Sequence, residues 1–197
     1  MTSLIDPQAE PDDPARSGRP PGDEPAGTPP HSPHSPHSPH SPPAISGGIE
    51  VRVQYEPIDV DAEITPIVRN PRVGAVVNFL GVVRQSGDVD DVVALDIEHY
   101  PGMTERSLWS IVEEASARWP LEAVRIVHRI GRIALGHPVV LMVVAAPHRA
   151  AAFDACEFMM DFLKTHAPFW KKEIRHDGVA EWVEAKTHDD HAMKRWG

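Results

Sequence analysis

Phe153-Asp154-Ala155-Cys156-Glu157-Phe158-Met159-Met160-Asp161-Phe162-Leu163-Lys164-Thr165-His166-Ala167-Pro168-Phe169-Trp170-Lys171-Lys172 holds a helix, its stop and two chemically interesting lysines in one run. Phe153, Cys156, Met160 and Leu163 recur at the spacing of one helical face, which marks a stripe for burial. Pro168 drives Ala167 out of helical geometry, so the helix is predicted to end near Thr165, with Lys164 in its last turn. Lys171 follows on a turning segment able to fold back toward Lys164. A lysine beside Phe169 and Trp170 is partly desolvated, which disfavours its ammonium form and suits acid, base or nucleophilic work. The same residues fit a plainer arrangement, in which the aromatic rings fill a core and the lysine stems run past them to water.

Working upstream, Pro147-His148-Arg149 opens this helix. Backbone N–H groups at a helix start favour anions, and a guanidinium adds bidentate recognition of phosphate or carboxylate. Arg149 and Lys164 are fifteen residues apart. At 1.5 Å per residue an unbroken helix separates them by roughly 22 Å, so they cannot line one small pocket within a single chain. If both act on one substrate, two copies must bring opposite helix ends together across a symmetric interface; otherwise one of the two is structural. Cys156, the single cysteine, sits on the apolar face and reads as a small buried hydrophobe rather than a nucleophile.

The remaining elements extend toward both termini. Ile49, Val51, Val53 and Tyr55 alternate with polar residues as in a half-buried strand. An acidic start at Asp59 suits a short helix running toward Val68, before Asn70-Pro71. Val73 to Val83 is almost continuously apolar and valine-rich, which predicts a buried strand with Arg84 at its exit. Val93, Leu95 and Ile97 alternate on the next strand and deliver Glu98, His99 and Tyr100 to its end. Leu108, Ile111, Val112, Ala115 and Trp119 mark a second helix, with Thr104 as N-cap and Pro120 as stop. Strands over Val124 to His128 and Val139 to Ala145 precede the long helix, and Trp182-Val183 suggests a last short strand. Strands and helices interleave without a strict β-α-β rhythm, so the expected class is α+β: a mixed or antiparallel sheet covered by about three helices.

Residues 1–48 are a different material, dominated by Pro, Gly, Ser, Asp and Glu, and are expected to be a disordered tail ahead of a domain at 49–197. Four His-Ser-Pro triplets run from His31 to Pro42; in polyproline II geometry their imidazoles would share an edge able to hold a metal weakly, but they read better as a flexible tail with a slipped repeat, since imidazoles on a mobile chain form no closed site. The start of the chain has no secretory pattern and no segment is long enough to span a membrane, which leads to a cytoplasmic expectation. One cysteine excludes an internal disulfide framework, and a net charge of -10 argues against general nucleic-acid binding. Glu98 and His99 are strand neighbours on opposite faces, so a direct dyad is not expected. His188, Asp189, Asp190 and His191 resemble a metal cluster but read better as a solvated helix start.

Four blocks carry a family likeness: Asn78-Phe79-Leu80-Gly81-Val82-Val83-Arg84, Leu95 through Met103, His128-Arg129-Ile130-Gly131, and Ala146-Pro147-His148-Arg149 continuing to Lys172. Together they make the stretch from Ile49 to Trp196 resemble the large, catalytic subunit of molybdopterin synthase, the MoaE family. Leu80 and Val82 depart from the threonine and basic residue usual there. The resemblance implies a sulfurtransferase with no cofactor and no metal. It would pass sulfur from the C-terminal thiocarboxylate of a small ubiquitin-like subunit of MoaD type to cyclic pyranopterin monophosphate. It implies that Lys164 contacts the carrier terminus and Lys171 assists as general acid or base. Arg84, His148 and Arg149 would then hold the substrate, the last two from a neighbouring copy. Phe79, Phe169 and Trp170 would shape the pocket for the partner's tail. A dimer of large subunits flanked by two small ones is the implied assembly. The rival readings are a partner-independent lyase or phosphate-ester hydrolase, and a non-catalytic module that only grips a partner's tail.

Overall fold

The computed structural model describes residues 48–86, 90–183 and Trp196, all within one unit, His40–Gly197. The tail at 1–47, with its His-Ser-Pro triplets, and the His188 to His191 cluster lie outside the described residues.

Strand β1 (Ile49–Gln54) forms where alternation predicts it and runs parallel to β4 (Ala123–Arg129). Helix α1 (Val60–Val68) begins at Asp59, whose carboxylate accepts the Ala62 N–H at 3.0 Å. Glu63 on this helix is buried and pairs with Arg52 of β1 and, at 3.1 Å, with Arg125 of β4. Two cations thus compensate one buried carboxylate and fasten α1 to the sheet.

Strands β2 (Ala75–Val82) and β6 (Pro138–Ala146) complete this first sheet, in the order β1-β4-β6-β2. All its pairs but the first are antiparallel, so it is the expected mixed sheet. The expectation of a buried strand over Val73–Val83 fails: no residue of β2 is buried, its first half is only partly covered, and Phe79, Leu80 and Val82 are 39%, 39% and 50% exposed. The cause is position, because β2 is the sheet's edge, whereas β6, with the same valine-rich composition, is central and buried from Val139 onward.

A second, antiparallel sheet was not foreseen as separate. It has the order β5-β3-β7-β8, built from β3 (Val92–His99), β5 (Gly131–Ala134), β7 (Phe169–Arg175) and β8 (Ala180–Trp182). The turning segment expected after Pro168 is the start of β7, which pairs along β3 with Ile97 opposite Lys171, Glu98 opposite Trp170 and His99 opposite Phe169.

Helix α2 (Met103–Arg118) starts two residues earlier than expected. Gly102 is its N-cap with φ 79, and the Glu105 carboxylate accepts the Gly102 N–H at 2.6 Å. Thr104 is instead fully buried, and its hydroxyl donates to the Tyr100 and Pro168 carbonyls at 3.0 and 3.3 Å. Helix α3 (Arg149–His166) ends at Ala167, as Pro168 dictates. Its Ala152, Ala155, Phe158, Met159 and Leu163 meet Leu108, Val112 and Ala115 of α2 and Val144 and Met142 of β6 in the main core. Full burial of Phe158 alone is worth about 1.5–3 kcal/mol. Among the described residues no helix is long and apolar enough to cross a membrane.

Candidate functional site

The end of α3 and the start of β7 converge, because the chain reverses over Ala167-Pro168 and β7 returns along β3. Strand alternation then sends Phe169, Lys171 and Glu173 to one face of β7 and Trp170 and Lys172 to the other. Lys164 and Lys171 consequently line one cavity of about 170 Å³, with Phe79 and Gly81 of β2, Leu95 of β3, His128 of β4 and Met160 and Leu163 of α3. Gly81 is required there by close approach: a Cβ would stand 2.8 Å from the Val140 Cγ1. A larger groove of about 500 Å³ adjoins it along α3 and β2, sharing Phe79, Met160 and Lys164, with Asn78, Phe153, Cys156 and Asp161 among its other walls. Lys164 therefore stands where an open, largely apolar groove meets a small inner cavity.

The cavity wall includes a residue that sequence reasoning had not assigned a role. His128 is buried, its ring stacks on Phe169 at 3.8 Å between centroids, and its Nδ1 lies 2.8 Å from the Arg129 carbonyl oxygen. Burial lowers its pKa to about 3; the bond to the Arg129 carbonyl opposes this, and the charges of Lys171 and His99 add to it. His128 is thus a neutral imidazole with Nδ1 as donor. The sequence signal was a histidine closing the strand Val124-Arg125-Ile126-Val127, apolar but for Arg125. Glu173, buried on the Lys171 face two residues on, was also unassigned.

The other expected site residues separate into groups. Phe169 packs against the core beneath the cavity and between the rings of His128 and His99, the latter at 6.5 Å. Trp170 is 48% exposed on the opposite face of β7 from Lys171, and is not among the residues lining the cavity. Beside it Lys172 pairs with Glu98 at 2.6 Å and lies 4.1 Å over the Trp182 ring. His99 lies on the other face of β3, so Glu98 and His99 form no dyad. Phe153 is 60% exposed and lines the groove rather than the core, although Cys156, Met160 and Leu163 of the same stripe are buried. Burial, with Glu157 nearby, pushes the Cys156 thiol up to about 11, which leaves it a poor nucleophile.

Arg84 is exposed beyond the end of β2, outside the lysine cavity. His148 and Arg149 are exposed at the far end of α3, where no side chain caps the helix and no acidic residue occupies the first turn. The helix is continuous between Arg149 and Lys164, so the separation of roughly 22 Å holds.

The chain matches the family profile described as MoaE protein over residues 53–166. It is 48% identical over 146 residues to a protein of Vibrio cholerae named molybdopterin synthase catalytic subunit, covering 74% of this chain and 97% of that one. Among solved structures, a molybdopterin biosynthesis MoaE protein from Burkholderia ambifaria superposes with a TM-score of 0.64 at 46% identity, over 76% of this chain and 99% of the other. Molybdopterin synthase from Staphylococcus aureus superposes with a TM-score of 0.61 at 35% identity, over 67% and 95%. The family profile spans α1 to α3 and relatives are matched over nearly their whole length, with the same fold; the chain belongs to the MoaE family.

Proposed function

We propose that this chain is the catalytic subunit of a molybdopterin synthase. It acts as a sulfurtransferase that moves sulfur from the C-terminal thiocarboxylate of a small ubiquitin-like partner of MoaD type to cyclic pyranopterin monophosphate. The observation that carries the reading is the convergence of Lys164 and Lys171 on one cavity reached from an apolar groove. A flexible carrier tail lying along Phe153, Phe79 and Met160 would bring its terminus to Lys164. Family membership and the names borne by relatives on both sides of the comparison support it.

The reacting groups are anionic or become so: thiocarboxylate, phosphate and the oxyanion formed when the acyl carbon is attacked. Two ammonium groups in a confined site stabilise that charge where it changes. In each transfer the carrier sulfur forms a C–S bond to a precursor carbon whose C–O bond breaks, the oxygen leaving with a proton as water or as the freed arm of the cyclic phosphate. Water then adds to the thioester carbonyl, the acyl C–S bond breaks, the carrier leaves as a carboxylate and the sulfur stays on the pterin. Lys164 would hold the carrier terminus and Lys171 would hand on or accept the proton. Arg84, with His148 and Arg149 of a second copy, would hold the phosphate and pterin. The working assembly is then a large-subunit dimer with a small subunit on each flank, active in the cytoplasm. The activity is assigned to the domain at 49–197, with the tail at 1–48 outside it.

The test is product formation from purified chain and precursor, with and without a thiocarboxylated small partner, read by mass spectrometry. Gain of two sulfurs that depends on the partner and is lost in Lys164→Ala is the expected result. No gain with a partner shown to be bound would leave a tail-binding module instead.

A further inference from the structure

His128 joins the two sheets at the floor of the lysine cavity. It is a residue of β4 in the first sheet, yet its ring lies face to face with Phe169 of β7 in the second, at 3.8 Å and 16° between planes. The Arg129 carbonyl 2.8 Å from Nδ1 can only accept, so Nδ1 carries the ring's proton and Nε2 carries the lone pair. Both positional freedoms of the ring are therefore fixed: its plane by the stack and its tautomer by the backbone. The residue lines the same cavity as Lys164 and Lys171, and the charges acting on it come from Lys171 on β7 and His99 on β3. A buried imidazole in a cleft of cations is costly unless its acceptor is used.

We propose that His128 is a positioning residue of this site: its Nε2 accepts a hydrogen bond from the Lys171 ammonium, directly or through one water, and so aims the remaining Lys171 donors into the cavity. This rests on the sulfur-transfer reading for its consequence, but not for its geometry. Burial disfavours the protonated ring, so His128 serves by orienting its neighbour rather than by relaying protons. Acting by orientation, His128 affects the chemical step more than substrate capture, because a donor misplaced by about 1 Å loses on the order of 100-fold in rate.

Two variants and one spectrum test this. His128→Phe keeps a flat ring against Phe169 without an acceptor, and His128→Gln offers an amide acceptor at similar reach. Expected is a fall in kcat of at least about tenfold for His128→Phe with KM within about twofold, and recovery of most of that loss in His128→Gln. Wild-type kcat in a folded His128→Phe would overturn the proposal. The second measurement needs no histidine variant. Long-range 1H–15N spectra of the wild-type protein should show the Nδ1–H tautomer, with an Nε2 resonance that moves in Lys171→Met. An Nε2–H tautomer, or an Nε2 resonance unmoved in Lys171→Met, would overturn it even if His128→Phe failed to fold. These spectra stand whether or not the protein makes molybdopterin, so failure of the functional reading shows separately, as a wild-type chain without partner-dependent sulfur gain.

Discussion

The two ends of α3 are built alike in charge and unlike in setting. At its start, His148 and Arg149 stand exposed beside helix N–H groups that no side chain caps. At its end, Lys164 meets Lys171 across a cavity walled by β2, β3 and β4, because Pro168 stops the helix and β7 folds back. One end is an open pair of side chains and the other a walled cavity. A helix can deliver two functional ends to one substrate only by pairing with a second copy, since its own length of roughly 22 Å between Arg149 and Lys164 keeps them apart.

The largest effect would come from breaking the spacer between the ends. Phe158 is fully buried at mid-helix against Trp119 and Phe162. Phe158→Ala should lower stability by about 3–5 kcal/mol in chemical denaturation and disable both ends together. Lys164→Ala should separate them: product formation falls by on the order of 100-fold while the melting temperature is held, whereas Arg149→Ala chiefly raises KM for the phosphorylated substrate.

A pH-dependent effect concerns the cavity floor. The folded pKa of His128, about 3, lies below the unfolded value near 6.5, so between these the unfolded chain binds the extra proton. Stability contributed by the neutral ring is present above pH 6.5 and is lost on acidification toward pH 3, by about 1.4 kcal/mol per unit. His128→Phe should flatten that slope in denaturation measured from pH 7 to pH 4. Removal of residues 1–47 should leave turnover unchanged within about twofold, since the activity is assigned to the domain that follows.

The sequence was informative where a single local rule decides the outcome. Proline at 168 ends α3, the 3.6-residue stripe defines its buried face, and helix rise alone separated Arg149 from Lys164. It was least informative where long-range pairing decides. Lys171-Lys172-Glu173 looks like a polar turn until β3 lies beside it, and then alternation divides Lys171 from Lys172 and Trp170. The β2 run looks like β6 in composition, and only its place at the sheet edge exposes Phe79, Leu80 and Val82. Thr104 has the chemistry of a helix cap, but Gly102 at positive φ starts the helix sooner and leaves Thr104 to bridge Tyr100 and Pro168. His128 went unread because a strand histidine shows its use only when Phe169 and Lys171 arrive from another sheet.

Whether the far end of α3 serves the lysine cavity of a second copy is tested most directly by mixing two impaired proteins, assayed at a precursor concentration well below the raised KM of Arg149→Ala, where each parent is nearly silent. Lys164→Ala and Arg149→Ala chains, carrying different affinity tags, are co-expressed and the mixed dimer is isolated. It holds one site with both substitutions and one with neither, so about half of wild-type activity should return. Activity no greater than that of the two parent variants, in a dimer shown to contain both chains, would mean that Arg149 and Lys164 never serve one substrate.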